Sequence, residues 1–138
     1  MSAIITLTTD FGISDAYVAT MKGVILGINP QVKIIDVCHF IEPQDIAQAA
    51  FVLSTAYPYF PKKTVHLVVV DPGVGSERRA IILRTPVAYF VAPDNGVLSY
   101  VIVQSLAKPV MEKGMFSLRE KTKPGAELEA VAITNPRF

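Results

Sequence analysis

Residues 65–75 read VHLVVVDPGVG: a run from Val65 to Val70, apolar but for His66, that stops at Asp71 and a pair of glycines. A run of that length and β-branched content suits a strand buried in the centre of a sheet. Working outward from it, the N-terminal half alternates. Ile4 to Thr8 is a short β-branched run ending at the turn signal Asp10-Phe11-Gly12. A helix is expected from about Asp15, capped by Ser14 or Asp15, with Tyr17, Val18, Met21, Val24, Ile25 and Ile28 at helical spacing. Asn29-Pro30 ends it, because the residue before proline is pushed out of the α region. Val32 to Val37 reads as a second strand. A second helix runs from about Gln44 to Ala56, opened by Pro43, striped by Ile46, Ala49, Ala50 and Leu53, and closed by Pro58 and Pro61. Strand, helix, strand, helix, strand at these lengths implies right-handed parallel βαβ units.

Beyond Asp71 the pattern changes. Ala80 to Thr85 and Val87 to Ala92 are two strands joined tightly around Pro86, and so short a connection favours an antiparallel hairpin. A short helix near Val97 to Leu106 and a late strand near Leu128 to Thr134 follow. The stretch from Lys108 to Gly125 is polar and reads as a loop or edge. The expected fold class is therefore α/β, with a mixed, mainly parallel sheet flanked by helices.

The chain has 138 residues, which suits one domain. Its charged share of 18% is below the usual level of about 25%, and 51% of it is hydrophobic. Such a composition fills a core and hints that part of the surface meets a partner. With 13 basic and 12 acidic residues, there is no clustered excess of Lys and Arg of the kind that nucleic acid or an anionic membrane requires. The lone Cys38 excludes an internal disulfide and an all-cysteine metal cluster. No stretch has the 18 or more apolar residues of a membrane helix, and the N-terminus lacks the pattern of a signal peptide. A cytoplasmic location is expected.

In open α/β sheets, ligands gather beyond the carboxyl ends of the parallel strands. Asp10 and Asp71 both sit at such ends, each leading into a glycine-containing turn. A single aspartate there is ordinarily a turn or cap residue; two at neighbouring strand ends point to a polar pocket. A carboxylate at Asp10 suits a ribose diol, since it can accept from both hydroxyls. Asp15 either caps the following helix or joins Asp10 in holding hydroxyls or an ammonium group. The segment from Asp71 to Arg79 brings an aspartate and two arginines together, but lacks the Gly-Lys-Ser/Thr ending of a phosphate-binding loop. The lesser alternative is a surface turn whose arginines merely pair with Glu77 or solvent. His39 and His66 have no companion at ligand spacing and read as structural. Asp94-Asn95-Gly96 reads as a turn.

Four segments taken together resemble one family: TLTTDFGISDAYVATMKGVI, INPQVKIIDVCHFIEPQDIAQAAFVL, YFPKKTVHLVVVDPGVGSERR and VAPDNGVLS. They are similar to the S-adenosylmethionine hydrolases (adenosine-forming), or hydroxide adenosyltransferases, relatives of the fluorinase and chlorinase. The resemblance runs in order from about Ile4 to Ser99 and more weakly beyond. It implies an N-terminal α/β domain, here 1–138, of a two-domain protein that assembles as a homotrimer. It further implies cleavage of S-adenosylmethionine by water to adenosine and methionine, with no metal or organic cofactor. By position, Asp10 would bind the ribose hydroxyls and Asp15 the methionine amino group, while Asp71 and Arg78 would handle the attacking water. The halogenating relatives carry tyrosine at the place of Asp71, which favours the hydrolase branch. The family's histidine, in a Phe-His-Gly-Arg-Asp motif, and its C-terminal domain are not among these residues. A non-catalytic domain that binds adenosyl compounds or only assembles is therefore the alternative. A metal-dependent hydrolase built on Asp10, Asp71 and Asp94 is a weaker one. Lys63 also departs from the family, where a glycine is usual before the Thr-Val of the third strand.

Overall fold

The computed structural model describes residues 3–71, 79–106, 109–112, 115–118 and 128–133. Strand β1 (Ile4–Thr9) is followed by α1 (Tyr17–Ile28), β2 (Lys33–Cys38), α2 (Ile46–Ala56) and β3 (Thr64–Val69). Then come β4 (Ala80–Arg84), β5 (Ala88–Pro93), α3 (Ser99–Leu106), the short strands β6 (Pro109–Glu112) and β7 (Met115–Leu118), and β8 (Glu129–Ile133). Six strands form one sheet in the order β2-β1-β3-β5-β4-β8. β1 pairs in parallel with both β2 and β3, and β3 with β5. β4 runs antiparallel to β5 and β8, which makes the sheet mixed as expected.

The alternation along β3 and β5 divides the sheet into two unlike faces. Thr64, His66 and Val68 on β3 and Ala88, Phe90 and Ala92 on β5 are buried. Val68, Ala88, Phe90 and Ala92 share a cluster with Ala49, Ala50 and Leu53 of α2 and with Val101 of α3. The residues between them, among them Leu67, Val69 and Val91, face the other way and are only half covered. α2 and α3 also lie against each other, and the Tyr57 hydroxyl donates to Gln104 Oε1 at 2.9 Å.

Three sequence readings need correction. Helix α2 begins at Ile46, not Gln44, because Gln44 takes a left-handed φ of 65° and Asp45 caps the helix by accepting from Gln48 N–H at 2.9 Å. Helix α1 begins at Tyr17, and its N-cap is Ala16, with no side-chain cap. Asp15 instead accepts the Tyr17 N–H at 3.1 Å. The polar stretch after Lys108 contains a two-stranded antiparallel unit, with Pro109 opposite Leu118. Four-residue strands are too short for alternation to register above the Lys and Glu around them.

The stripe on α1 also splits. Val18 is buried and Met21 and Ile25 are half-buried, whereas Tyr17, Val24 and Ile28 are exposed. At 100° per residue, Tyr17, Val24 and Ile28 share one side of the helix. The described part of the chain leaves that side uncovered.

Candidate functional site

Register fixes where the candidate aspartates stand. Thr9 of β1 lies opposite Val69 of β3 in a parallel pair, so Asp10 and Asp71 leave the sheet at the same edge from adjacent strands. Neighbouring strands lie about 4.8 Å apart. Asp10 is half-buried, and its carboxylate accepts from the Gln44 N–H at 2.7 Å. Asp71 is half-buried and lines an open concavity of about 240 Å³ with Leu67, Val69, Arg79, Val91 and Pro93. Asp15 lies further along the Asp10 loop, exposed, ahead of α1. Arg78 lies outside the described residues.

Arg79 donates to Asp94 Oδ2 at 3.2 Å, and the Asp94 N–H donates to the Arg79 carbonyl at 2.8 Å. That pair ties the start of β4 to the end of β5. Asn95 closes the same corner: its Nδ2 donates to the Val70 carbonyl at 2.9 Å while its Oδ1 accepts from Val97 N–H. Asp94-Asn95-Gly96 is thus a turn that braces the strand end carrying Asp71, with Gly96 at a φ of 93°. Among the described residues, no three His, Cys, Asp or Glu side chains gather as a metal site would require. No helix among them is long and apolar enough to cross a membrane.

The Asp10 turn rests on a polar network that the sequence did not reveal. Thr9, fully buried, meets His39 Nδ1 through its hydroxyl at 2.8 Å and accepts the Phe11 N–H at 3.1 Å. His39 Nε2 meets Asp36 Oδ1 at 2.7 Å, and Lys22 donates to Asp36 Oδ2 at 2.8 Å. Partial burial works to raise the Asp36 pKa. The hydrogen bonds from Lys22 and His39, with the Lys22 charge beside them, outweigh that and hold it below its ordinary 3.8. The same connector grips the turn by its backbone: Gly12 N–H donates to the His39 carbonyl at 2.7 Å and Ile41 N–H to the Thr9 carbonyl at 3.4 Å. The only sequence signal was Asp36 and His39 three residues apart at a strand end, and nothing in the chain placed Thr9 and Lys22 beside them.

The second histidine sits elsewhere. His66 is 1% exposed, with Nδ1 against the Thr6 hydroxyl at 2.7 Å, and its Nε2 has no partner among the described residues. Phe90 stacks on it at 5.1 Å, while Tyr57 and Phe60 meet its edges. Each histidine is thus buried and hydrogen-bonded to a threonine of β1.

Comparison with known proteins fits this arrangement. The family model described as SAM hydroxide adenosyltransferase N-terminal domain matches residues 5–132. Over 103 residues the chain is 53% identical to the (R)-S-adenosyl-L-methionine hydrolase of Methanocaldococcus jannaschii, covering 71% of this chain and 39% of that protein. It is 30% identical over 122 residues to the fluorinase of Nocardia brasiliensis, covering 72% of this chain and 41% of that protein. The crystal structure of an uncharacterized conserved protein from Thermotoga maritima superposes with a TM-score of 0.72 at 48% identity, covering 73% of this chain and 39% of that one. The chain thus spans less than half the length of these relatives. With the family model spanning nearly all of the chain, and the strand-end aspartates standing on a mixed α/β sheet, the protein belongs to the SAM hydroxide adenosyltransferase N-terminal domain family.

Proposed function

We propose that this chain supplies the N-terminal side of a site that hydrolyses S-adenosylmethionine to adenosine and methionine. The observation that carries the reading is the placement of Asp10 and Asp71 at one sheet edge on adjacent parallel strands. The name of the Methanocaldococcus jannaschii relative, (R)-S-adenosyl-L-methionine hydrolase, supports the (R) form as the substrate. Asp10 has one carboxylate oxygen on the Gln44 amide, and its remaining acceptor capacity suits the two ribose hydroxyls. Asp15, exposed on the same loop, suits the methionine ammonium. Water attacks C5′ of the ribose; the C5′–S bond breaks, and its electron pair leaves with sulfur as a neutral thioether. The attacking water must lose a proton, and its pKa in bulk is about 15.7. Asp71 orients that water and takes the proton, and Arg78 stabilises the hydroxide charge. General-base help of this kind typically contributes about 10²–10⁴-fold. No step requires a metal or an organic cofactor.

The exposed Tyr17, Val24 and Ile28 on α1, with Tyr100, Val103 and Leu106 on α3, support self-association, and we assign a homotrimer. Cys38 as a free thiol fits the cytoplasm. Light scattering at micromolar concentration tests the assembly, and a sharply monomeric species overturns it.

Activity is tested with this chain alone and fused to the carboxy-terminal remainder of the archaeal relative. This chain alone is expected to release no adenosine above background, and the fusion to release adenosine and methionine. In the fusion, Asp71→Ala should lower kcat more than it weakens binding. Asp10→Ala should chiefly weaken binding, because the ribose contact exists in the ground state too. A fusion that binds the ligand but never releases adenosine would sink the hydrolase reading in favour of a binding module.

A further inference from the structure

We infer that His39 is a positioning residue for ribose recognition, fixing the Asp10-Phe11-Gly12 turn through a one-way chain of hydrogen bonds. The inference rests on the proposed contact between Asp10 and the ribose. Its direction follows from the partners. Asp36 is an acceptor, so His39 Nε2 carries the proton donated to Oδ1. In the tautomer with its proton on Nε2, Nδ1 is the acceptor, and the Thr9 hydroxyl donates to it. With its hydrogen spent there, the Thr9 oxygen accepts the Phe11 N–H. Lys22 closes the far end on Asp36 Oδ2. Each donor has an acceptor, and the last bond falls on the backbone amide next to Asp10.

The connector that follows His39 completes the clasp. The His39 carbonyl takes the Gly12 N–H, and Gln44, held at a left-handed φ of 65°, gives its N–H to the Asp10 carboxylate. A non-glycine residue in that region is strained and persists where its surroundings over-determine it. Here the strained amide is the one that orients the proposed ribose carboxylate. His39 is 5% exposed and Thr9 fully buried, so water does not readily replace the bond between them.

A merely structural histidine would support the fold without affecting which ligand is preferred. The test therefore reads preference: adenosine and 2′-deoxyadenosine are titrated into this chain and followed by NMR shifts, which report weak binding. The wild type should favour adenosine. His39→Ala and His39→Gln, which cannot reach Thr9 from the Nδ1 position, should lower that preference by about tenfold, the worth of a hydrogen bond to a charged group. His39→Asn, whose side-chain oxygen takes the place of Nδ1, should keep most of it. Leu53→Ala, a core truncation on α2, is the stability control and should leave the ratio unchanged. A His39→Ala variant that melts lower but keeps the wild-type ratio overturns the inference. Amide exchange in the ligand-free protein separates this from the ribose reading. If Phe11 and Gly12 lose protection in His39→Ala while wild type and Asp10→Ala bind adenosine equally, the positioning stands and the ribose contact fails. If those amides keep their protection, the positioning itself fails.

Discussion

The corner at the end of β2 and the aromatic cage behind β3 each bury one histidine, and each histidine meets a β1 threonine through Nδ1. They differ at the other nitrogen. His39 Nε2 has Asp36, whereas His66 Nε2 faces a wall of rings and has no partner among the described residues. That second bond decides what kind of residue an imidazole is. With it, the ring belongs to a polar chain whose members fix one another's orientation. Without it, the ring behaves as a flat filler that must remain neutral.

The largest effect that would break this contrast is at His66. Burial pushes its pKa down to about 4 from an ordinary 6.5. Between those values the unfolded chain binds a proton that the folded chain refuses. The stability contributed is complete above about pH 6.5 and is lost as pH falls toward 4, amounting to about 3 kcal/mol. Urea midpoints should fall steadily across that window, and in His66→Phe the fall between pH 6.5 and 5 should flatten. The depressed Asp36 carboxyl acts only below its ordinary 3.8, so it does not obscure the upper half. An equal slope in His66→Phe would show that the cage admits a charged ring.

The next effect belongs to the corner. His39→Ala strands the buried Thr9 hydroxyl and removes a donor from Asp36, which should cost about 2 kcal/mol. A midpoint change equivalent to less than about 0.5 kcal/mol, the scale of an ordinary surface substitution, would place His39 with ordinary surface polar groups and remove it from the corner's polar chain.

The two regions were also unequally legible. The cage was foreshadowed by VHLVVV: a strand that apolar had to be central, and a histidine inside it had to be buried. Likewise the parallel order of β1, β2 and β3 followed from element lengths, and the facing of Asp10 and Asp71 from strand ends. The corner was not foreshadowed, because Lys22, Asp36, His39 and Thr9 come from α1, β2, the connector after it and β1. No local pattern encodes their meeting. Helix starts failed for a related reason. Ser14 and Asp15 are both sound caps by type, and only the backbone path past Gly12, with its φ of 73°, decides that Tyr17 opens the helix.

A smaller effect sharpens the corner's role as a clasp. Asp45 ends the connector from His39 and caps α2 through Gln48 N–H. Asp45→Ala should cost about 1 kcal/mol, as lost caps typically do, seen as a lower urea midpoint. If the corner is held by its own bonds, the amide protection of Phe11 and Gly12 should survive. Protection lost along with the cap would mean that α2 positions the turn and His39 follows.

The smallest effect lies beside the cage and is a gain. Lys63 precedes β3 at a φ of 74° and donates its N–H to the Val87 carbonyl at 3.1 Å. A residue with a Cβ in that region carries about 1–2 kcal/mol of strain, while glycine avoids it at an entropic cost in the unfolded chain of about 0.4–1 kcal/mol. Lys63→Gly should therefore raise stability by roughly 0.5–1 kcal/mol, measured as a higher urea midpoint. Lys63→Ala separates geometry from charge: it removes the ammonium but keeps the Cβ, so it should give no gain. The glycine that the family resemblance led one to expect there now has a backbone reason. The gain should be the same at pH 5 and pH 7, because relieving strain ahead of β3 leaves Tyr57, Phe60 and Phe90 around His66. A gain that grows as the pH falls would mean that the strained turn helps to keep the cage shut against a proton, and the cage would then extend to Lys63.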